Sequence, residues 1–416
     1  MEFAYRNGAL CAEQVPLDEI ARRFGTPCFI YSRAAVERQY RAYAQALGNR
    51  KALVAYSVKA NSNLAVLALM ARLGAGFDIV SGGELARVLA AGGDTRKVVF
   101  SGVGKSEEEI ERALRADILC LNIESEPELA RVAAVAARLG KRAPIALRIN
   151  PDVDAKTHPH VSTGLRQSKF GVPYAEAERL YREAARRPHL EPVGIGCHIG
   201  SLLADPAPWV EAAARVIELA DHIEQGGISL QHIDVGGGIG IRYRDEPQRS
   251  IEDFVGGALR ALGARPKTLI VDPGRSIVGN AGVLLTRVEY VKPGAARNFL
   301  VVDAAMNDLL RPALYGAWHE VRTVREPRAS AATSVYDVVG PICESADFLA
   351  RDRALAAGAG DLLAILSAGA YSMSMSSNYN SRPRAAEVLV DGAVAHLVRR
   401  REEVPELFAG ESIPAW

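Results

Sequence analysis

Short apolar segments rich in Val, Ile and Leu recur along the chain, and each ends at a polar residue or at glycine. A stretch with helical periodicity follows each segment, which is the pattern of strands that are buried on both faces and alternate with helices. The pattern therefore predicts a parallel sheet. We find eight such segments, which begin at Ala52, Gly76, Lys97, Ile118, Pro144, Gly194, Leu230 and Thr268.

Eight strand–helix units over about 230 residues match a (β/α)₈ barrel of the TIM type, with extra length between the fifth and sixth strands. A doubly wound open sheet is the alternative. From Gly282 onward, strand patterns alternate with turn signals, which predicts a β-rich C-terminal domain. The predicted domains are 31–278 for the barrel and 1–30 plus 279–416 for the β-rich domain, since the first 30 residues precede the barrel segments.

Composition and charge narrow the class of function. The 416 residues carry 50 Lys and Arg against 49 Asp and Glu, so no overall field attracts nucleic acid or an anionic membrane. The sequence shows no export signal and no apolar run of membrane-spanning length. The five cysteines are scattered and odd in number, which disfavours disulfides and cysteine zinc sites. We expect a cytoplasmic protein that acts on a small molecule.

Polar residues at the strand ends are the candidate catalytic groups, because barrel enzymes place their chemistry at the carboxyl ends of strands. Lys59 follows the first strand, and its amine can form an imine with an aldehyde. His198 ends the sixth strand. The glycines at 236–240 follow the seventh strand, where backbone N–H groups can close on a phosphate. Asp272 and Arg275 follow the eighth strand.

Each of these residues has an ordinary explanation when it is considered alone: a solvated lysine, a core histidine or a tight turn. Their convergence on one face of a barrel favours a shared site. An imine-forming lysine, a neighbouring ring, a phosphate cradle and a carboxylate together specify pyridoxal phosphate as the cofactor. The carboxylate would keep the pyridine nitrogen protonated, so that the ring can accept electrons from the substrate.

Three other patterns do not predict sites. Gly104-Lys105-Ser106 resembles the end of a P-loop, but the glycine required five positions earlier is Val99. The glycines at 236–240 fail the dinucleotide pattern because residue 241 is Ile. The histidines at 158 and 160 lack nearby ligands, so we expect no metal site.

Several motifs resemble those of a known enzyme group. YSVKANSN, HIGS, GGGIG and DPGR resemble the signatures of the barrel-type pyridoxal-phosphate enzymes, which include alanine racemase and ornithine decarboxylase. RPALY at 311–315, GPICES at 340–345, the stretch from GAY at 369 and STGLRQSKFG at 162–171 are similar to the diaminopimelate decarboxylases. The resemblance covers nearly the entire chain, with the motifs in the same order.

The resemblance implies roles for the matching residues in the cofactor site. Lys59 would carry the cofactor as an imine, and His198 would stack on its ring. The usual residue at position 272 in the family is Glu, whereas this chain has Asp, and we expect Asp272 to pair with the pyridine nitrogen despite its shorter side chain. The implied cofactor-binding residues are Lys59, His198, Ser201, Gly237, Gly238, Asp272, Gly274, Arg275 and Tyr371.

The resemblance also implies a substrate site that two subunits share. Arg311 and Tyr315 would bind the distal carboxylate of the substrate, and Glu344 would bind the distal ammonium. Cys343 would donate a proton to the decarboxylated carbon. Cys343 and Glu344 would come from the neighbouring subunit, so an obligate homodimer and a β-rich domain that completes the site are expected. Arg275 and Tyr371 are implied to face the substrate as well.

The activity implied by the resemblance is pyridoxal-phosphate-dependent decarboxylation of meso-2,6-diaminopimelate at its D-centre. The products are L-lysine and carbon dioxide, in the last step of lysine biosynthesis. One alternative is a barrel-type decarboxylase that acts on ornithine, arginine or a carboxylated polyamine. A second alternative, a non-catalytic pyridoxal-phosphate protein, is disfavoured because such proteins are usually a lone barrel.

Overall fold

The computed structural model describes residues 3–154, 163–164, 168–246, 249–328 and 330–416. The chain forms two compact units. The barrel unit comprises Arg38–Ile241 and Pro247–Ser276, and the β-rich unit comprises Met1–Glu37, Arg242–Glu246 and Ile277–Trp416.

The strands and helices are numbered in chain order. The strands are β1 (Phe3–Arg6), β2 (Ala9–Ala12), β3 (Val15–Pro16), β4 (Cys28–Ser32), β5 (Ala52–Ser57), β6 (Gly76–Ile79), β7 (Val98–Phe100), β8 (Cys120–Ile123), β9 (Ala143–Asn150), β10 (Val172–Pro173), β11 (Leu190–Cys197), β12 (His232–Asp234), β13 (Thr268–Val271), β14 (Gly282–Lys292), β15 (Asn298–Val302), β16 (Val321–Thr323), β17 (Ser334–Val339), β18 (Phe348–Leu355), β19 (Leu362–Ile365), β20 (Ala386–Asp391) and β21 (Val394–Arg399). The helices are α1 (Leu17–Phe24), α2 (Arg33–Leu47), α3 (Leu64–Arg72), α4 (Gly82–Ala90), α5 (Glu107–Arg115), α6 (Glu126–Arg138), α7 (Ala177–Arg186), α8 (Pro206–Gln225), α9 (Ile251–Leu262), α10 (Arg275–Val278) and α11 (Arg311–Tyr315).

The barrel unit is built on a closed parallel sheet. Its strands follow the order β5, β6, β7, β8, β9, β11, β12 and β13, and β13 returns to pair with β5 through Leu269 and Ala52. The short strand β10 pairs with β9 outside this ring. All eight predicted strands are confirmed. The open-sheet alternative is wrong, because β13 and β5 would then be unpaired edges.

Small and branched side chains fill the inside of the barrel. Ala55, Val99, Ala146 and Ile270 are buried together there with Cys120. Side chains pointing into a barrel come from alternate positions of each strand, so a packed interior requires residues of limited size.

Polar residues define where several barrel helices begin. The Ser106 side chain accepts from the Glu109 N–H, and the Glu109 carboxylate accepts from the Ser106 N–H in return. Ser250 and Asp253 form the same reciprocal pair at the start of α9. These pairs satisfy N–H groups that have no partner within the helix.

The β-rich unit joins the N-terminal residues to the C-terminal part of the chain. Strand β4 lies between β14, to which it is antiparallel, and β20, to which it is parallel. All five residues of β4 are buried. Its core includes Leu10, Ile30, Val283 and Val388. The CFIYS segment therefore forms a central strand whose neighbours are separated from it by the whole barrel sequence.

Lys105, the lysine of the P-loop-like stretch, serves the structure of the barrel. Its side chain is 1% exposed, and Nζ donates to the carbonyl oxygens of Gly102 and Asn122, both at 2.7 Å. Nζ also lies 2.6 Å from Glu128 Oε1. An ammonium has three donors, and these contacts use all of them. The rejection of a P-loop is thus supported.

Residues 155–162 lie outside the described residues, so the predictions for the histidines at 158 and 160, and for part of the motif at 162–171, lie outside them too. Within the described ranges, no group of acidic, Cys or His side chains has the arrangement of a metal site. No described helix is long and apolar enough to span a membrane.

Candidate active site

A cavity of about 500 Å³ opens at the carboxyl ends of the barrel strands. It lies entirely within the barrel unit, and every strand of the closed ring contributes to its lining. This is the end of the barrel at which the sequence places the candidate catalytic groups. Its polar lining includes one residue from each strand or from the turn that follows it, namely Lys59, Asp78, Ser101, Asn122, Arg148, His198, Asp234 and Asp272.

The Lys59 amine is held by a buried carboxylate. A single turn of 3₁₀ helix after β5 carries Lys59, and its Nζ lies 2.5 Å from Asp78 Oδ2. The Lys59 side chain is 33% exposed, whereas that of Asp78 is 1% exposed. Ser57 donates to Asp78 Oδ2 at 3.0 Å, and Ser101 donates to Oδ1 at 2.7 Å. The fixed carboxylate keeps the amine at the cavity wall.

Two buried carboxyl groups of the cavity have pKa values shifted in opposite directions. Burial by itself raises the pKa of Asp78, but the Lys59 charge and the hydrogen bonds from Lys59, Ser101 and Ser57 outweigh it and lower that pKa. Burial, followed by the negative charge of Asp272, raises the pKa of Asp234 well above its ordinary value. The Asp234 carboxyl also accepts from the Gly236 N–H at 2.9 Å. These surroundings thus favour the charged form of Asp78 and disfavour the charged form of Asp234.

His198 lies between the glycine loop and Asp272. Its Nδ1 is 3.4 Å from the Gly237 nitrogen and 3.5 Å from Asp272 Oδ1. One ring nitrogen can accept from Gly237 or donate to Asp272, but not both. Asp272 Oδ1 is buried and receives no hydrogen bond from the described residues. Asp272 lines the cavity, and a buried acceptor oxygen of this kind usually has a donor, which a bound ligand could supply.

The glycine loop after β12 has no room for side chains. A Cβ atom at Gly237 would lie 2.4 Å from the carbonyl oxygen of Asp272 and 2.6 Å from its Oδ1. At Gly238, where φ is +91°, a Cβ atom would lie 2.0 Å from the carbonyl oxygen of Gly200. Glycine is required at both positions because side chains would collide with fixed backbone. The loop therefore packs closely against the turns that follow β11 and β13.

Two predicted phosphate-binding residues contact each other. Arg275 Nε and Nη2 lie 3.3 Å and 3.2 Å from Ser201 Oγ. Arg275 is buried at the start of α10. The preceding Gly274 packs against the turn that carries Lys59, because a Cβ atom there would lie 2.9 Å from the Ala60 Cβ. The predicted cofactor residues of the barrel unit are thus brought together around the loops that follow β5, β11, β12 and β13.

The other predicted site residues belong to the β-rich unit. Arg311 is 3% exposed and begins α11, which Tyr315 ends. Cys343 and Glu344 are exposed in the single chain, and the Cys343 N–H donates to Asn380 Oδ1 at 3.0 Å. Tyr371 is half-buried and has φ of +54°, an unusual conformation for a tyrosine.

Sequence reasoning missed several polar residues of the cavity. Asp78, Ser101 and Asp234 are the clearest cases. Ser101 follows β7 and Asp234 ends β12, so the rule that identified His198 and Asp272 also applied to them. Asp78 lies one residue before the end of β6, inside an apolar segment, and this position did not mark it. Two residues of the β-rich unit, Tyr243 and His319, were also missed, although both contact Arg311. No local pattern marks those two, because their importance depends on which residue they touch.

Comparison with known proteins shows which family the chain belongs to. Residues 33–279 match the family model for the pyridoxal binding domain of pyridoxal-dependent decarboxylases. The chain is 58% identical to a diaminopimelate decarboxylase of Pseudomonas aeruginosa, with 99% of each protein covered. It is 54% identical to the diaminopimelate decarboxylase of Vibrio cholerae, again over 99% of both. The chain belongs to the diaminopimelate decarboxylase family. The family resemblance seen in the sequence is confirmed.

Solved structures of the same family share the fold. The Helicobacter pylori diaminopimelate decarboxylase complexed with L-lysine is 43% identical, with a TM-score of 0.91 and coverage of 94% of this chain and 98% of that one. The M. jannaschii enzyme in complex with L-lysine has a TM-score of 0.94 at 35% identity, with 99% and 98% covered. A lysine decarboxylase of Selenomonas ruminantium, 23% identical with a TM-score of 0.80, shares the fold.

The opposite pKa shifts predict opposite effects of two matched substitutions on stability. Asp78→Asn should lower the free energy of unfolding at pH 7 by roughly 1–3 kcal/mol, because charge-assisted hydrogen bonds are lost. Asp234→Asn should raise it, because an amide can still accept from Gly236 and carries no charge to bury. Urea unfolding followed by circular dichroism measures both.

The pH dependence of these effects follows from the direction of each shift. The lowered pKa of Asp78 stabilises the fold above the unfolded value of about 3.9, and this contribution is lost as the pH falls through the folded pKa. The raised pKa of Asp234 destabilises the fold increasingly as the pH rises above about 3.9. Equal effects of both substitutions at pH 7 would contradict this assignment.

Proposed function

We propose that this protein decarboxylates meso-2,6-diaminopimelate at its D-centre and releases L-lysine and carbon dioxide. This reaction is the last step of lysine biosynthesis. The observation that carries the proposal is that Lys59 and Asp272 line one cavity at the carboxyl end of the barrel, and that Asp272 Oδ1 has no hydrogen-bond donor among the described residues. Two family members were solved with L-lysine, the product of this reaction. A cytoplasmic homodimer is part of the proposal.

The cofactor is pyridoxal phosphate, and the barrel residues fit it. Lys59 would hold it covalently through Nζ. Asp272 Oδ1, which lacks a donor among the described residues, would accept from the protonated ring nitrogen. Gly237 and Gly238, where side chains do not fit, would approach the phosphate through their backbone. Arg275 and Ser201 would add a guanidinium and a hydroxyl to the same group.

The bound cofactor supplies an aldehyde that reacts with amines and a protonated ring that withdraws electrons. The residues of this chain hold and orient the groups that react. Asp78 orients the Lys59 amine, and the serines that donate to Asp78 hold the carboxylate in place. His198 would pack against the ring and keep it facing Asp272. Asp272, as a charged partner of the ring nitrogen, would keep that nitrogen protonated.

The β-rich unit is proposed to recognise the L-centre of the substrate. Arg311 and Tyr315 would bind the distal carboxylate, for which the planar guanidinium fork is suited. Glu344 would bind the distal ammonium, and Arg275 and Tyr371 would face the substrate. A substrate that lacks either distal group would leave a charge without its partner. Ornithine and arginine decarboxylation are disfavoured, because those substrates have no distal carboxylate.

Cys343 is proposed to supply the proton that completes the product. Its Sγ would give a proton to the carbon that has lost carbon dioxide, and the residue would come from the neighbouring subunit together with Glu344. The exposure of both side chains in the single chain supports this role, since neither is buried within its own subunit. The β-rich domain at 1–30 and 279–416 would then complete the active site and form the dimer interface.

A carbon dioxide release assay tests the function. Purified protein with pyridoxal phosphate should release carbon dioxide from the meso isomer and form L-lysine in equal amount, because only that isomer offers a D-centre beside an L-centre. The LL isomer, ornithine, arginine and L-lysine are the comparison substrates. Faster release from ornithine or arginine would contradict the proposed substrate, and no release from any of them would contradict the enzyme assignment.

The glycine loop gives a matched pair of cofactor variants. Gly237→Ala should weaken pyridoxal phosphate binding at least about tenfold, because its Cβ atom would meet the Asp272 carbonyl oxygen and Oδ1. Gly104 lines the same cavity, and Gly104→Ala is the control, because its Cβ atom would meet nothing within 4 Å. Titration of the apoprotein, followed by cofactor absorbance, measures both affinities. Equal affinities for the two variants would show that the loop does not hold the cofactor.

Hybrid dimers test the shared site. Lys59→Ala should abolish turnover, and Cys343→Ala should lower kcat strongly. If Cys343 acts across the interface, each hybrid dimer has one intact site. A random mixture of the two variants, after subunit exchange, should then recover about one quarter of the wild-type rate, because half of the dimers are hybrids with one working site in two. No recovery despite demonstrated exchange would place both residues in one subunit.

A further inference from the structure

Arg311 is buried and contacts two aromatic rings of the β-rich unit. Its Nη1 lies 2.7 Å from His319 Nε2. Its guanidinium carbon lies 4.5 Å from the centroid of the Tyr243 ring. The two rings also contact each other edge to face, with centroids 5.3 Å apart and an interplanar angle of 76°. We call His319 and Tyr243 the Arg311 clamp.

The hydrogen bonds of His319 define its protonation state. A guanidinium has only donors, so Nε2 has to be the acceptor in the contact with Arg311. Nδ1 then carries the hydrogen, and it lies 2.8 Å from the carbonyl oxygen of Leu366, which can only accept. His319 is 0% exposed, so water does not compete for these contacts. The ring is therefore neutral, in one tautomer, and fixed at both nitrogens.

The Tyr243 ring is positioned by its own short segment. The segment Arg242–Glu246 belongs to the β-rich unit although barrel residues flank it in the sequence. Glu246 Oε2 accepts from the Tyr243 N–H at 3.0 Å and from the Arg244 N–H. Asn280 Nδ2 donates to the carbonyl oxygen of Arg242 at 3.1 Å. These contacts hold the segment so that the ring covers one face of the Arg311 guanidinium.

The chemistry of the clamp differs from that around Lys59. Asp78 meets the Lys59 amine with a negative charge, whereas His319 and Tyr243 meet Arg311 with a neutral nitrogen and an aromatic face. A carboxylate in their place would orient the guanidinium but would also compete with an incoming anion. A neutral acceptor and a cation–π contact orient the guanidinium without adding negative charge.

We propose that His319 and Tyr243 are positioning residues that orient Arg311 for the carboxylate at the far end of the substrate. The inference rests on the proposed function, in which Arg311 binds that carboxylate. Its consequence is that loss of the clamp weakens binding of molecules with a distal carboxylate and leaves the chemical step nearly unchanged. Such a loss of uniform binding raises KM while kcat is retained.

Matched variants of the holoenzyme test the clamp. His319→Phe keeps a ring but removes the acceptor, and it should raise KM for meso-diaminopimelate about tenfold, the loss expected for one hydrogen bond to a charged group, with kcat within about threefold. His319→Gln restores an acceptor and should return KM towards the wild-type value. Tyr243→Leu should raise KM because the aromatic face is lost, whereas Tyr243→Phe keeps that face and should raise KM less.

Inhibition by two diamines separates carboxylate recognition from a general structural effect. L-Lysine retains the distal carboxylate, whereas 1,5-diaminopentane lacks it. His319→Phe should weaken inhibition by L-lysine by about the same factor as KM rises, and inhibition by 1,5-diaminopentane should not change. Equal weakening for both inhibitors would overturn the proposal, as would a fall in kcat at constant KM.

Arg311→Gln distinguishes failure of the clamp from failure of the proposed function. If Arg311→Gln raises KM and His319→Phe does not, Arg311 binds substrate without the clamp, and the inference is wrong. If Arg311→Gln itself leaves KM unchanged, the proposed role of Arg311 is wrong. Circular dichroism checks the fold of each variant. If His319→Phe fails to fold, the KM values of Tyr243→Leu and Tyr243→Phe test the proposal instead. Equal KM values for those two variants would overturn the proposed role of the clamp.

Discussion

The hydrogen bonds between β13 and β5 are the constraint on which the barrel site depends. They close a ring of eight parallel strands, and parallel strands in a ring bring all their carboxyl ends to one side. A residue that follows β5 therefore meets residues that follow β11 and β13, although more than a hundred positions separate them in the chain. Without this closure, Lys59 and Asp272 would lie at opposite edges of a sheet.

The sequence predicted this arrangement well because it depends on strong, repetitive signals. Buried parallel strands are continuously apolar, so polar residues at their ends stand out, and this is how Lys59, His198 and Asp272 were found. The glycine loop was predicted for a steric reason, which the clash of a Cβ atom at Gly237 with Asp272 now explains. The site residues of the β-rich unit were predicted from motifs that resemble those of the family.

Contacts that depend on three-dimensional proximity could not be predicted in this way. Asp78 is one of several polar residues that line the cavity, and its 2.5 Å contact distinguishes it as the partner of Lys59. Tyr243 follows a barrel strand in the sequence but belongs to the β-rich unit. His319 is an ordinary buried histidine until its hydrogen bond to Arg311 is seen. In each case the contact that the residue makes, rather than its type, indicates its role.

The position of β4 has a consequence for synthesis of the chain on the ribosome. Its five buried residues emerge early, but the strand that flanks it on one side, β14, begins roughly 250 residues later and β20 follows later still. At about 5–20 residues per second, this apolar segment waits roughly 10–50 s for its neighbours, while the barrel is being translated. Throughout that time it is an unpaired strand of the kind that promotes aggregation. A nascent chain stalled inside the barrel sequence would expose this segment for as long as the stall lasts.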